Sequence, residues 1–229
     1  MTRTNEFGQP IGDDLGAWSP PEPPPWRELR GSWVTLEPLQ RAQHAVPLYH
    51  VFKNAPEPLW TYMPFGPFGD AAELGQTIDA INRDDDWLPY AIVVDGNVFG
   101  FLSYLRIAAH SGSIEIGSIA FAPELQRTTA ATEALYLVIK NVFDLGYRRC
   151  EWKCDDLNEA SKTAAERLGF KFEGIFNKAT HYKGRSRDTA WFAITDDEWP
   201  ILDAGFKAWL DPTNFDPAAI QLRPLQSLR

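Results

Sequence analysis

The segment from Leu125 to Glu133 is the part of the chain whose residue types could do chemistry most directly. It reads Leu-Gln-Arg-Thr-Thr-Ala-Ala-Thr-Glu, and it lies between a predicted strand, 113–121, and a predicted helix with apolar residues spaced by three and four. The first N–H groups of a helix have no partner within it, and small residues let a ligand approach them. Together with the helix dipole, these groups favour a phosphate. The segment predicts either a phosphate site or an ordinary capped turn.

A second segment with capping and hydroxyl residues follows further along the chain. Asn158 and Ser161 are three residues apart at the start of a short predicted helix, which ends at Leu168-Gly169-Phe170. That spacing places both side chains on one face of the first helical turn. A polar pair at a helix start can contact a ligand, or it can simply cap the helix.

In this order, the two segments resemble the GNAT superfamily of acyl-CoA-dependent N-acyltransferases, most closely the branch of ribosomal-protein N-terminal acetyltransferases. The family's phosphate loop, Gln/Arg-x-x-Gly-x-Gly/Ala, is matched by residues 126–131, with Thr129 in place of the first glycine. Its second signature is matched by Asn158, Ser161 and residues 168–170. Residues 187–192 and 198–200 also look like this branch, so the resemblance covers roughly residues 32–200.

The resemblance implies a site for acetyl-CoA, which serves as the acyl-donor substrate. The CoA pyrophosphate is expected on the main-chain N–H groups of one loop, made of Gln126, Arg127, Thr128, Thr129, Ala130, Ala131 and Thr132. The pantetheine and acyl group are expected along the main chain of the preceding strand, at Ile119, Ala120 and Phe121. Asn158 is expected to position the pantetheine or a bound water.

Three residues are the candidates for catalysis. Many GNAT members use a tyrosine to protonate the departing sulfur, but Ala165 stands at that place here, so the resemblance points to Ser161. The alternative is that Ser161 is only a helix hydroxyl. Glu115 is a candidate base acting through water, although its alternation with isoleucines also fits a side chain in solvent.

A second candidate for the general base arises because the chain departs from the pattern of the ribosomal-protein enzymes. They carry a glutamate in the loop after Gly174, where this chain has Thr180 and His181. His181 is a second candidate base near neutral pH, or a surface residue. The departure counts against specificity for ribosomal proteins.

The remaining pattern predicts the elements that hold these residues. Alternating runs predict a hairpin around Asp95-Gly96, a strand at 150–153, and a final strand pair that brackets a loop at 180–187. Helices are expected near 39–52, 71–82 and 195–210, the second capped by Asp70. The predicted fold class is α/β (α+β), a GNAT-like mixed and largely antiparallel central sheet of six to seven strands, with helices on both faces.

The predicted domain organisation has three parts. Residues 1–31 form a proline-rich arm, residues 32–200 the acyltransferase domain, and residues 201–229 the end of the last helix and an irregular tail. The arm is expected to run over the surface or onto a partner subunit. Nine tryptophans, the arm and the added C-terminal helix lead us to expect a homodimer.

Composition excludes several function classes. A net charge of −9 argues against nucleic-acid binding and is compatible with a cationic acceptor. There is no apolar run long enough for a membrane span and no signal-peptide pattern, so a cytoplasmic protein is expected. Cys150 and Cys154 share one predicted strand, where their Cα atoms lie roughly 13 Å apart, so we expect two reduced thiols. The four histidines lack ligand spacing, and no metal is expected.

The sequence therefore predicts an acetyl-CoA-dependent N-acetyltransferase. Its acceptor would be a primary amine of a small molecule, an amino acid or a peptide N-terminus. The competing interpretation is a non-catalytic module that binds acyl-CoA for sensing or assembly, because the usual tyrosine is missing and the glutamate is displaced. The retained Asn158 and Ser161 favour the enzyme.

Overall fold

An eight-stranded sheet forms the centre of the molecule. The computed structural model describes residues 3–218 and 220–229. In those residues the order in the sheet is β3-β4-β5-β6-β7-β8-β10-β9, and β7 with β8 is its parallel pair. The strands are Leu29–Arg30 (β3), Thr35–Pro38 (β4), Trp87–Val94 (β5), Asn97–Ala108 (β6), Ser113–Phe121 (β7), Arg149–Asp155 (β8), Lys171–Tyr182 (β9) and Arg185–Thr195 (β10); Arg3–Thr4 (β1) and Pro10–Ile11 (β2) form a separate hairpin.

In the described residues, five α-helices pack on the sheet through two separate apolar cores. They are Arg41–Phe52 (α1), Ala71–Ile81 (α2), Thr129–Asp144 (α3), Glu159–Leu168 (α4) and Trp199–Leu210 (α5). One core joins α3, α4 and α5 to the sheet, and the other joins α1 and α2 to it. The predicted fold class is confirmed. The predicted strand number was too low because β3 has only two residues, too few to show a period.

The ends of several elements differ from the sequence prediction for local reasons. The last helix begins at Trp199, because Thr195 ends β10 and its N–H donates to the Glu198 carboxylate across an intervening turn, at 2.9 Å. The predicted loop at 180–187 is wrong. There β9 and β10 run on to a tight turn at Lys183-Gly184, whose φ angles are both positive. Charged and exposed residues in this hairpin hide the period of two.

The strands β7 and β8 separate where the predicted acyl site lies. They pair over four residues, from Ser113 with Arg149 to Ile116 with Trp152, and the pairing ends there. Beyond that point β7 contains a bulge against β6, with Ser118 at a φ of +51°. Bulges bend a strand and re-aim its residues. The result is a cleft between β7 and β8.

Both terminal segments lie on the rest of the chain. In the arm, the indole N–H of Trp18 donates to the Gly146 carbonyl at 3.0 Å, and that of Trp26 donates to the Pro89 carbonyl at 2.9 Å. In the tail, Leu225 is buried and Arg229 donates to the Glu166 carbonyl at 3.0 Å. These contacts place Trp18 and Trp26 of the arm on the surface of its own chain.

Candidate active site

The cleft between β7 and β8 has a volume of about 450 Å³ and brings together five of the predicted site residues. Glu115 and Ile119 line it from β7, Asn158 and Ser161 from the start of α4, and His181 from β9. The predicted phosphate loop is not part of this lining. The loop lies where α3 begins, and its first residue, Gln126, follows the bulge at Ser118 by eight residues.

The bulge in β7 brings bare backbone to the cleft. Gly117 lines the cleft, and a Cβ at this position would lie 2.8 Å from the Leu105 side chain and 3.3 Å from Glu115 Oε1. After Ile116, the edge of β7 that faces β8 is no longer paired with it. Ile119 lines the cleft, Ala120 is fully buried and Phe121 is half-buried. Unpaired main-chain groups at this place suit hydrogen bonds to an extended ligand.

The start of α3 uses some of its N–H groups internally and leaves others free. Thr128 caps the helix, since its Oγ accepts from the Ala131 N–H at 3.1 Å, and the Thr132 N–H donates to the Thr128 carbonyl at 3.3 Å. The N–H groups of Arg127, Thr129 and Ala130 have no partner among residues 3–218 and 220–229. The predicted phosphate site therefore narrows to these three N–H groups.

Asn158 and Ser161 both have structural roles at the start of α4. The Asn158 side-chain oxygen caps the helix by accepting from the Ser161 N–H at 3.1 Å. The Ser161 hydroxyl accepts from the indole N–H of Trp152 at 3.0 Å, and it also contacts the Cys154 side chain. Ala165 is fully buried, so α4 presents no side chain from the position of the missing tyrosine.

Glu115 is buried at the floor of the cleft and does not point to solvent. It is 2% exposed and accepts two hydrogen bonds from Arg106, at 2.6 and 2.5 Å, while Lys153 Nζ lies 2.9 Å from its second oxygen. The alternative of a solvent-facing side chain is wrong, because the alternation on β7 turns this face toward the cleft. These two cations fix the position of the carboxylate.

The ion pairs continue from Glu115 along the open face of the sheet. Lys153 is only 6% exposed, lies 2.7 Å from Glu151, and its ammonium is 3.7 Å from the centre of the Trp191 ring. Arg149 joins Glu151 at 2.7 Å and also pairs with Glu173. Burial would raise the pKa of Glu151, but hydrogen bonds from Lys153 and Arg149 outweigh burial and lower it.

A second carboxylate in the cleft was missed by the sequence analysis. Asp155, at the end of β8, is buried, and it accepts from the Tyr182 hydroxyl at 2.7 Å and from the Leu157 N–H at 2.9 Å. Burial, followed by the bond to Asp155, raises the pKa of Tyr182 to about 12. His181, next to Tyr182, is exposed at the rim of the cleft.

The aromatic loop at 60–68 is divided between a wall of the cleft and a hydrophobic plug. Tyr62, Met63 and Pro64 line the cleft, whereas Trp60 is buried against Phe52, with ring centres 5.1 Å apart. Different residues of this loop thus form a cleft wall and a buried plug. The β9–β10 hairpin holds the loop in place, since Lys183 Nζ donates to three of its carbonyls, those of Trp60, Phe65 and Gly66.

The two cysteines are free and buried, as expected for reduced thiols in one strand. Burial raises the pKa of both Cys150 and Cys154, the latter despite its contact with Ser161. In the described part of the chain, no group of three His, Cys, Asp or Glu side chains is arranged to hold a metal ion. No helix in that part is both long and apolar enough to cross a membrane.

The comparison with known proteins identifies the family. The sequence model of the acetyltransferase (GNAT) domain matches residues 34–171, which is more than half of the chain. The chain belongs to the GNAT acetyltransferase family. Members transfer an acetyl group from acetyl-CoA, so at the family level this chain is an acetyl-CoA-dependent N-acetyltransferase. No curated protein has a significantly similar sequence.

Solved structures of other GNAT proteins resemble this one along most of its length. A GCN5-related N-acetyltransferase from Brucella melitensis is 42% identical, covers 93% of this chain and 99% of its own, and superposes with a TM-score of 0.91. A probable GNAT acetyltransferase from Chromobacterium violaceum is 38% identical over 84% of this chain and 98% of its own, with a TM-score of 0.80. RimJ from Mycobacterium smegmatis, in complex with CoA-disulfide, shares the fold at 22% identity, 76% and 87% coverage, and a TM-score of 0.62.

Proposed function

We propose that this GNAT protein transfers the acetyl group of acetyl-CoA to the primary amine of a small molecule, an amino acid or a peptide N-terminus. The observation that carries the proposal is the opening between β7 and β8, which joins unpaired backbone at Ile119 to the Ser161 hydroxyl in one cleft. A thioester laid along β7 would have its sulfur directed toward the start of α4. The acceptor would enter from the side of Glu115 and the aromatic loop.

The reaction needs one new bond, one broken bond and two proton movements. The neutral amine attacks the thioester carbonyl, the C–N bond forms and the oxygen becomes negative. A backbone N–H of the bulged strand would stabilise that charge, as oxyanion donors do. The C–S bond then breaks, the amine proton passes to a base, and the thiolate takes up a proton.

Ser161 is proposed to donate its hydrogen bond to the departing thiolate. The Trp152 indole N–H holds the serine oxygen as an acceptor, so the hydroxyl proton is not used in that bond. Glu115, His181 and water are the candidates for the base. Both oxygens of Glu115 already accept from Arg106 or Lys153, so we place Glu115 at the end of a water path rather than in direct contact with the amine.

The proposal leaves the acceptor at the level of an amine. Likeness to ribosomal-protein acetyltransferases is found at 18% and 22% identity, which reflects the shared fold. We therefore do not assign a ribosomal protein as the acceptor. A cytoplasmic location and a homodimer belong to the proposal as well.

The test is thiol release from acetyl-CoA across a panel of amines, amino acids and peptides, with mass spectrometry of the amine product. We expect an acceptor-dependent release of CoA and a product heavier by one acetyl group. If the protein binds acetyl-CoA tightly but acetylates no acceptor, the competing role of a non-catalytic acyl-CoA-binding module replaces this proposal.

A further inference from the structure

The side chains that line the cleft have a net charge opposite in sign to that of the whole protein. The chain has a net charge of −9, yet the cleft is lined by three basic side chains and two acidic ones, Arg106, Lys153, Arg187, Glu115 and Asp155. A cleft that concentrates cations on an acidic protein attracts an anion. The net charge of the whole chain is compatible with a cationic acceptor, but the charges of the cleft lining favour an acceptor that also carries an anionic group.

Arg187 differs from the other cations around the cleft in having no carboxylate partner. Arg106 and Lys153 are matched by Glu115 and Glu151. No Asp or Glu oxygen of the described chain lies within 4.0 Å of the Arg187 guanidinium. Its Nε donates to the Thr189 hydroxyl at 3.1 Å, and this bond orients the group.

The rest of the guanidinium is held facing the cleft. Its central carbon lies 6.0 Å from the centre of the Tyr182 ring, and its two terminal nitrogens make no hydrogen bond to the described residues. Those two nitrogens form the fork that binds a carboxylate or a phosphate with two parallel hydrogen bonds. Lys183 and Arg185 of the same hairpin instead donate hydrogen bonds to backbone carbonyls of the 60–68 loop.

Two further polar atoms of the cleft lining are buried without a partner in the described residues, the indole N–H of Trp191 and the hydroxyl of Ser118. Leaving such a group unpaired is costly, and native proteins rarely do so without a ligand or water at the site. Ser118 adjoins the proposed acyl site, and Trp191 lies under Lys153. Both therefore point to a polar molecule in the cleft.

We infer that the acceptor is an amine that also carries an anionic oxygen group, a carboxylate or a phosphate, and that Arg187 binds that group. This inference rests on the proposed function, because it names the substrate class of the same cleft. The anionic end of the acceptor lies against β10, and its amine reaches the thioester beside Ser118 and Ile119. Arg187 is thus a specificity residue.

The experiment compares matched amines with and without the anionic group. Alanine is paired with alaninamide, and phosphoethanolamine is paired with ethanolamine. Binding of each probe to the protein is measured by calorimetry, and acetyl transfer is measured by thiol release. Arg187→Gln removes the charge, Arg187→Lys keeps it, and Lys178→Gln removes one charge from the same hairpin outside the cleft lining.

We expect at least one anionic probe to bind better than its neutral partner. Arg187→Gln should raise the KM and Kd of that probe about 10- to 100-fold, as for loss of a charged hydrogen bond. The KM and Kd of the neutral partner and the affinity for acetyl-CoA should not change in this variant. Arg187→Lys should keep part of the preference for the anionic probe over its neutral partner, and Lys178→Gln should keep all of that preference.

Three outcomes would overturn the inference. The first is that anionic probes bind no better than neutral ones, and the second is that Arg187→Gln weakens binding of both members of a pair equally. The third is that Arg187→Gln weakens CoA binding instead, which would place Arg187 on a CoA phosphate. Selective binding of an anionic probe without acetyl transfer would have a different meaning. In that case the anion site stands and the proposed function fails.

Discussion

The two ends of the cleft are built from different parts of the chain. One, here the backbone end, consists of Ile119, Asn158 and Ser161 in the cleft, together with residues 120–131, which lead from Ile119 to the start of α3 outside the cleft lining. It offers mainly N–H groups and one hydroxyl. The other, the side-chain end, consists of Arg106, Glu115, Lys153, Arg187 and Trp191, and it offers charges and an indole. The first suits a ligand shared by a whole family, and the second suits a ligand particular to this protein.

The difference follows from what each kind of group recognises. A backbone N–H at a helix start binds any phosphate and does not depend on the side chain that carries it. A guanidinium fork distinguishes one acceptor from another, and it is changed by a single substitution. We therefore expect substitutions at the two ends to separate binding of CoA from choice of acceptor.

The largest effect is expected at the start of α3. Thr129→Asp adds a negative charge at the first helical position, where it favours the helix but repels the CoA pyrophosphate. CoA affinity should fall on the order of 10³-fold, with the fold retained. Calorimetry with CoA checks this.

Ala72→Asp, in the first turn of α2, is the matched control and should leave CoA affinity unchanged. Ala131 is a poorer probe than Thr129, because its side chain is buried and its N–H is already bonded to Thr128. Unchanged CoA binding by a folded Thr129→Asp variant would remove the phosphate from this helix start.

The next effect concerns Ser161. If its hydroxyl stabilises charge only as the thiolate leaves, Ser161→Ala should lower kcat on the order of 10²-fold and leave acetyl-CoA affinity nearly unchanged. The Trp152 indole N–H would lose its partner, so the free energy of unfolding should fall by about 1–3 kcal/mol.

Steady-state kinetics and urea denaturation of the same variant separate the two roles of Ser161. A variant as fast as the wild type, with chemistry shown to limit the rate, would leave Ser161 as a helix hydroxyl that holds Trp152.

A smaller effect distinguishes the two roles of Asn158. Asn158→Ala removes the helix cap, at a cost of about 1 kcal/mol, and removes the side-chain amide that could contact the pantetheine. Asn158→Asp keeps a capping oxygen and removes only the NH₂ donor.

If the amide contacts the pantetheine, both variants should bind acetyl-CoA about tenfold more weakly, and only Asn158→Ala should also be less stable. Calorimetry measures the affinity for acetyl-CoA, and thermal melting measures the stability of each variant. Full affinity in Asn158→Asp would restrict Asn158 to its capping role.

The smallest effect is expected beside the side-chain end, at Glu151. Its folded-state pKa lies below the ordinary value of 4.5, so its bonds to Lys153 and Arg149 stabilise the protein fully above that pH. That stability is lost as the pH falls from 4.5 through the folded-state pKa. Glu151→Gln should therefore lower the urea midpoint near neutral pH and reduce its decline in acid. An unchanged decline would show that other carboxylates account for the acid sensitivity.

The backbone end could be predicted from the sequence because its residues are close together in the chain. The Asn158 cap, the helix start near Thr129 and the β7 strand are each encoded in a few neighbouring residues. Which N–H groups of residues 126–132 remain free could not be predicted, since it depends on the direction of the Thr128 side chain.

The side-chain end could not be predicted, because it is assembled from four strands. Arg106, Lys153 and Trp191 belong to β6, β8 and β10, and only the strand order brings them to one face with Glu115. A charged residue in each of several adjacent strands was the available signal, but it has no fixed spacing along the chain. The burial of Glu115 likewise depends on what packs over β7.

The most direct test of the two-ended cleft is a crystal structure of the protein with CoA and N-acetylalanine, the product of the alanine probe. The account predicts the pyrophosphate on the N–H groups of Thr129 and Ala130, the sulfur within hydrogen-bond reach of the Ser161 hydroxyl, and the carboxylate on the Arg187 guanidinium. A structure with the sulfur outside the opening between β7 and β8, or with Arg187 on a CoA phosphate, would contradict it.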